Sequence, residues 1–231
     1  MVIEIWSDFA CPFCYIGKKK LEKALNNFEH KDKVKIEFKS YELNPNAPLE
    51  TNDKGYEAFA KLKGMPIDQV KQMFNQLTLT AQAYDLDYQM NEIVMTSTRK
   101  AHRLAKWAKT KNKEAELTEE LFNAYFSEGL NIANNKTLLN LVEKVGLDVN
   151  EAKDVLNNNL FEDEVANQIN EGKSLGVRGV PFFVFNRKFA ISGAQPDEHF
   201  NEALKKAYEV ESPFETVGSS DDTCGPDGCE I

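Results

Sequence analysis

The chain has 231 residues, of which 42% are hydrophobic and 28% charged, with a net charge of −9. That length supports a real hydrophobic core, and the acidic balance weighs against binding to nucleic acid or to anionic membranes. No apolar run reaches the roughly 18 residues of a membrane span, and Met1–Trp6 reads as a strand rather than a basic and then apolar leader, so a cytoplasmic location is expected.

Val2–Trp6 alternates weakly and leads into a helix expected from about Cys11 to Asn27. Val34–Tyr41 alternates with period two and reads as a strand, which completes a strand–helix–strand start. Asn44-Pro45-Asn46-Ala47-Pro48 is a loop, and from Gly55 to Gly176 nearly everything reads as helix. Pro66 suits a first helical position, and Ser97 suits the N-cap of a helix through Trp107. Further helices are expected over 118–130, 135–145, 150–158 and 161–175. Strands return with Val180–Phe185, a turn at Asn186-Arg187 and a partner over Phe189–Gly193. Pro196 opens a last amphipathic helix to about Val210, and the polar composition after Pro213 reads as flexible.

The four cysteines form two local pairs, Cys11/Cys14 and Cys224/Cys229. A disulfide framework would scatter its cysteines, so local pairs point to redox chemistry or metal binding. Two cysteines three apart at a helix start are close enough to form a disulfide after modest adjustment. The unpaired N–H groups and the dipole of the first turn favour a thiolate at Cys11, with Cys14 one turn deeper as the resolving thiol. An accessible Cys11 sulfur is expected. The alternatives are a buried inert pair, or a zinc site formed with the tail cysteines.

Cys224 and Cys229 close a loop of only six residues and would staple no distant elements together. Asp221, Asp222, Asp227 and Glu230 crowd that pair with negative charge, which makes it the more reducing of the two. Electron exchange with Cys11/Cys14 is the functional reading; an accessory metal site or a redox-inert tail is the other. Phe13 is the aromatic most suited to an exposed substrate contact, whereas Trp6, Phe183 and Phe185 suit the core. His102 reads either as a lining residue of a substrate groove or as an ordinary helical histidine. Asp8 reads as a turn residue or as a proton acceptor near Cys14.

Ser7-Asp8-Phe9-Ala10-Cys11-Pro12-Phe13-Cys14 resembles the active-site motif of DsbA-family thioredoxin-fold oxidoreductases, and of their FrnE-like branch in particular. The helical insertion, Gly179-Val180-Pro181-Phe182-Phe183 and the Cys-Gly-Pro-Asp-Gly-Cys tail carry the same resemblance. It implies an α/β thioredoxin-like fold with a large all-helical domain inserted between the second and third strands. The expected division is 1–50 with 177–211 for the thioredoxin-like part, 51–176 for the insertion and 212–231 for the tail. The resemblance also implies a cis Val180–Pro181 bond beside the cysteine pair, with Val180 and Pro181 offering backbone to an extended substrate peptide. Pro12-Phe13 departs from the dipeptide of the strongly oxidising periplasmic members. The expected activity is dithiol–disulfide exchange or isomerisation on protein thiols and disulfides, recharged by a separate thiol redox partner, with no cofactor and no metal. The competing reading is a glutathione-dependent isomerase or transferase of the kappa-class and 2-hydroxychromene-2-carboxylate isomerase group, which resembles this architecture but has Ser where Cys11 stands.

Overall fold

A computed structural model describes residues 1–210. The elements run β1 (Val2–Ser7), α1 (Pro12–Asn26), β2 (Lys35–Ser40), then seven helices α2 (Gly55–Lys63), α3 (Ile67–Gln82), α4 (Arg99–Thr110), α5 (Glu114–Phe126), α6 (Asn135–Lys144), α7 (Val149–Asn157) and α8 (Glu162–Ser174). They close with β3 (Phe182–Phe185), β4 (Phe189–Ser192) and α9 (Asp197–Glu209). The helical insertion thus lies between the second and third strands, as the sequence implies.

The four strands form one sheet in the order β2-β1-β3-β4. β1 runs parallel to β2, with Ile5 opposite Phe38, and antiparallel to β3, with Ile5 opposite Phe183. Asn186 and Arg187, both at positive φ, turn β3 into β4. That left-handed pair matches the twist of a tight hairpin, and Asn suits it. β1 is covered on both sides, which explains its weak alternation. Ile3 and Ile5 pack with Leu21 of α1 and Phe200 and Leu204 of α9, while Trp6 packs with Val177 and Val184 on the opposite face. The Trp6 indole N–H donates to the Gln168 carbonyl at 2.9 Å, and the Gln168 side chain accepts the Ser40 N–H at 2.9 Å. These two bonds tie α8 across β1 and β2.

The largest apolar cluster belongs to the helices and extends to the cysteine motif: Phe9, Cys11, Cys14, Tyr15 and Ile16 join Phe74, Leu104, Leu121 and Phe122. Several helix starts differ by a residue or more from the expected ones, Pro196 for example standing one residue before α9. Thr98, not Ser97, occupies the N-cap of α4, although the Ser97 hydroxyl accepts the Arg99 N–H at 3.3 Å. Pro66 stands one residue before α3 rather than within it. α5 starts a turn earlier than the apolar spacing suggests, with Glu114 and Glu116 at the positive end of its dipole. It also stops before Leu130, because Gly129 takes a left-handed conformation in which a Cβ would lie 2.9 Å from the Glu92 carbonyl oxygen.

Candidate active site

Cys11 is the N-cap of α1, with φ −98° and ψ 111°, and Pro12 is the first helical residue. The Cys11 N–H donates to Asp8 O at 3.0 Å, and the Cys14 N–H donates to Cys11 O at 3.0 Å. Pro12 brings no N–H to this crowded start, and no acidic side chain stands in the first turn to compete for its positive end. The Cys11 side chain makes no capping bond to the backbone of that turn; its Sγ–H donates to the Val180 carbonyl at 3.4 Å. The Val180–Pro181 bond is cis. Gly17 makes the approach of this loop to α1 possible, because a Cβ there would lie 3.0 Å from the Phe183 ring and 3.1 Å from the Pro181 ring.

The structure corrects the expectation of an accessible Cys11 sulfur. Cys11 is 3% exposed and Cys14 2%. The Val180 loop covers Cys11 on one side, and on another the residue lines a cavity of about 340 Å³. Met73, Phe74 and Leu77 of α3, together with Met90, Ile93 and Met95 from the segment before α4, supply much of the remaining wall. The Tyr88 hydroxyl, from the same segment, donates to Pro12 O at 2.8 Å. Cys14 does not line the cavity. Burial, the largest influence, pushes its thiol well above the usual range. The neighbouring Cys11 acts in the same direction, and contacts from the Ser7 side chain and Asp8 backbone do not reverse the shift.

Asp8 is buried and shapes the loop before α1, its carboxylate accepting the Leu43 N–H at 2.7 Å and the Ala10 N–H at 3.3 Å. His102 is also buried, its ring 4.7 Å from that of Phe9 and its Nε2 3.4 Å from Asp8 Oδ1. It lies behind the motif and is absent from the cavity wall. Burial pushes the neighbouring Glu42 carboxyl up, against the pull of Arg99. Phe13 is 46% exposed at the cavity, while Trp6, Phe183 and Phe185 are fully buried. Cys224 and Cys229 lie outside the described residues. Among the described residues, no cluster of three or more His, Cys, Asp or Glu side chains is placed to hold a metal ion, and no helix is long and apolar enough to cross a membrane.

The cysteine spacing and the Gly179–Phe183 segment locate the two sides of this site in the sequence. The methionines do not announce themselves: Met73 reads only as a helical apolar position, and Met90 and Met95 fall in a stretch without periodicity.

The chain belongs to the DSBA-like thioredoxin domain family, whose model matches residues 2–205. The family is one of thiol–disulfide oxidoreductases. A probable DsbA oxidoreductase from Streptomyces coelicolor is 34% identical, covering 100% of this chain and 99% of its own, with a TM-score of 0.88. YwbO of Bacillus subtilis (strain 168) is 27% identical over 206 residues, 87% of this chain and 94% of that protein. A 2-hydroxychromene-2-carboxylate isomerase, 17% identical with a TM-score of 0.69 over 91% of this chain and 98% of its own, shares the fold.

Proposed function

We propose that this protein exchanges dithiols and disulfides with protein substrates through Cys11 and Cys14. The observation that carries the reading is the asymmetry of the pair: Cys11 borders a cavity, and Cys14 sits behind it without reaching that space. Cys11 is then the sulfur that meets substrate, at the positive end of a helix where negative charge is favoured. In the reducing direction, the Cys11 thiolate attacks a substrate disulfide, forms the mixed disulfide and releases one substrate thiolate. Cys14 gives up its proton and displaces the second substrate sulfur, leaving Cys11–Cys14 oxidised and the substrate reduced. The reverse sequence oxidises a substrate dithiol. The Val180 carbonyl stands beside the reacting sulfur, while the Pro181 carbonyl already accepts the Gly193 N–H at 2.8 Å, so Val180 is the residue of this loop that offers backbone to an adjoining peptide strand. Phe13 adds an exposed apolar contact. His102 acts through Asp8 on the shape of the motif.

The acidic, closely spaced Cys224/Cys229 pair is proposed to exchange electrons with Cys11/Cys14. Insulin reduction tests both parts. Cys11→Ser should abolish turnover, whereas the double variant Cys224→Ser/Cys229→Ser should retain the Cys11-dependent reaction but turn over more slowly. Full activity of Cys11→Ser would overturn the main reading, and unchanged kinetics of the double variant would remove the relay.

A further inference from the structure

The chain carries five methionines, and apart from Met1 they all gather in one place. Met65, Met73, Met90 and Met95 belong to, or pack against, the apolar cluster that contains Cys11 and Cys14. Three of them, Met73, Met90 and Met95, line the cavity that Cys11 borders. Met90 is buried, whereas Met73 and Met95 are partly exposed, so these two are the wall methionines that a small solute reaches. The lining is not uniformly apolar: Asn44, Thr96, Thr98 and Tyr125 share it and bring amide and hydroxyl donors. A thioether sulfur accepts hydrogen bonds only weakly, so it makes little use of them. Oxidation of methionine to the sulfoxide, a common and enzymatically reversible change, replaces that sulfur with a polar S=O group.

We infer that Met73 and Met95 form an oxidation site that controls exchange: hydrogen peroxide converts them to sulfoxides, and the altered wall slows the chemistry at Cys11. The control rests on the exchange reaction proposed above. In the modifying step the thioether sulfur attacks one peroxide oxygen, the O–O bond breaks, S=O forms and water leaves. The sulfur loses two electrons and the peroxide gains them. A flexible apolar side chain thereby becomes a polar one. Its new oxygen draws on the donors of the same cavity, and α3 and the segment before α4 repack beside the cysteine helix. Reversal requires a thiol-dependent methionine sulfoxide reductase, which releases the oxygen as water while two thiols become a disulfide. One oxidant thus leaves two marks of different duration. A Cys11–Cys14 disulfide is reopened by a thiol alone, whereas a sulfoxide at Met73 or Met95 waits for the reductase.

The test uses the full-length protein, first oxidised so that its cysteines are protected as disulfides. It is treated with hydrogen peroxide, freed of oxidant, reduced with dithiothreitol and assayed for insulin reduction, its thiol count matched to that of untreated protein. Peptide mapping by mass spectrometry reads the sulfoxide at each methionine. The expected result is sulfoxide at Met73 and Met95 with a loss of rate of at least about threefold, recovered on incubation with the two epimer-specific methionine sulfoxide reductases. Leucine is a volume-conserving replacement for methionine, so Met73→Leu/Met95→Leu, compared with its own untreated rate, should lose less than about 1.5-fold. Met65→Leu, outside the cavity wall, should stay as sensitive as the parent. No sulfoxide at either position, sulfoxide at both with an unchanged rate, an equal loss in Met73→Leu/Met95→Leu, or sensitivity abolished by Met65→Leu would overturn the site while leaving the exchange reaction standing. Untreated Cys11→Ser as active as untreated parent would instead remove the exchange reaction, and the control with it.

Discussion

The Tyr88 hydroxyl donates a 2.8 Å hydrogen bond to the Pro12 carbonyl, joining the segment before α4 to the first turn of the cysteine helix. The Tyr88 ring is buried and stacks on Phe126 at 4.8 Å, so the phenol is held at both ends. Tyr88→Phe keeps the ring and removes only the polar end. A loss of about 1 kcal/mol in urea unfolding is expected, the usual net worth of one hydrogen bond. The exchange rate should fall by less than about threefold, because the ring still stacks on Tyr15 of α1 and on Phe126 and holds the segment before α4 in place. A loss of about 3 kcal/mol or more would mean that Tyr88 supports far more than this contact.

Burial raises the Cys14 thiol, and this fixes how resolution responds to pH. Burial remains when Cys11 is tied up in a mixed disulfide. The reactive Cys14 thiolate is then a minority species at neutral pH, and its fraction grows about tenfold per pH unit until the raised value is reached. Single-turnover decay of a preformed mixed disulfide should therefore accelerate steadily from pH 7 to pH 9. A flat profile over that interval would show that Cys14 resolves without needing to lose a proton.

Glu119 of α5 clamps α1. It pairs with Lys18, pairs with Lys19 at 2.6 Å and accepts the Tyr15 hydroxyl at 2.7 Å. Burial alone would raise its carboxyl, but Lys18, Lys19 and Tyr15 outweigh burial and hold it down to about 2. A depressed carboxyl stabilises the fold above its unfolded value near 4.5, and that contribution fades as pH falls toward about 2. The side chain is a third exposed, so screening cuts the effect to on the order of 1 kcal/mol. Glu119→Gln should be less stable than the parent by that amount at pH 7, and the gap should narrow steadily below pH 4.5 in urea titrations. A gap independent of pH would assign the loss to hydrogen bonding rather than charge.

Gly172 of α8 faces Trp6, and a Cβ there would lie 2.6 Å from the indole nitrogen. Alanine would ordinarily stabilise a helix interior by up to about 1 kcal/mol over glycine. Here the ring is fully buried and cannot swing aside, so overpacking of roughly 1–3 kcal/mol should win. The expected result for Gly172→Ala is a net loss of stability with altered tryptophan fluorescence. A gain in Tm would mean that α8 shifts freely across the sheet.

The fold's order was readable because its strands and caps carry local signals. Val34–Tyr41 alternates, Asn186-Arg187 suits a left-handed turn, and Pro12 sits where a helix tolerates it. The cysteine motif was readable for the same reason. Burial of Cys11 was not, since the cover comes from Val180, 169 residues away. The cavity was equally hidden: Met73, Met90 and Met95 meet only when α3 and the segment before α4 fold against α1. His102 sits on a helix whose sequence does not reveal that Phe9 and Asp8 close over it. Tertiary contact decides all three, and local periodicity carries no record of it.

The most direct test of Cys11 as the attacking sulfur is peptide mapping of the trapped intermediate. Cys14→Ser is incubated with a peptide disulfide, quenched in acid and digested without reductant. The expected product is one stoichiometric mixed disulfide between substrate and Cys11. Absence of any adduct, or an adduct confined to Cys224 or Cys229, would contradict the assignment.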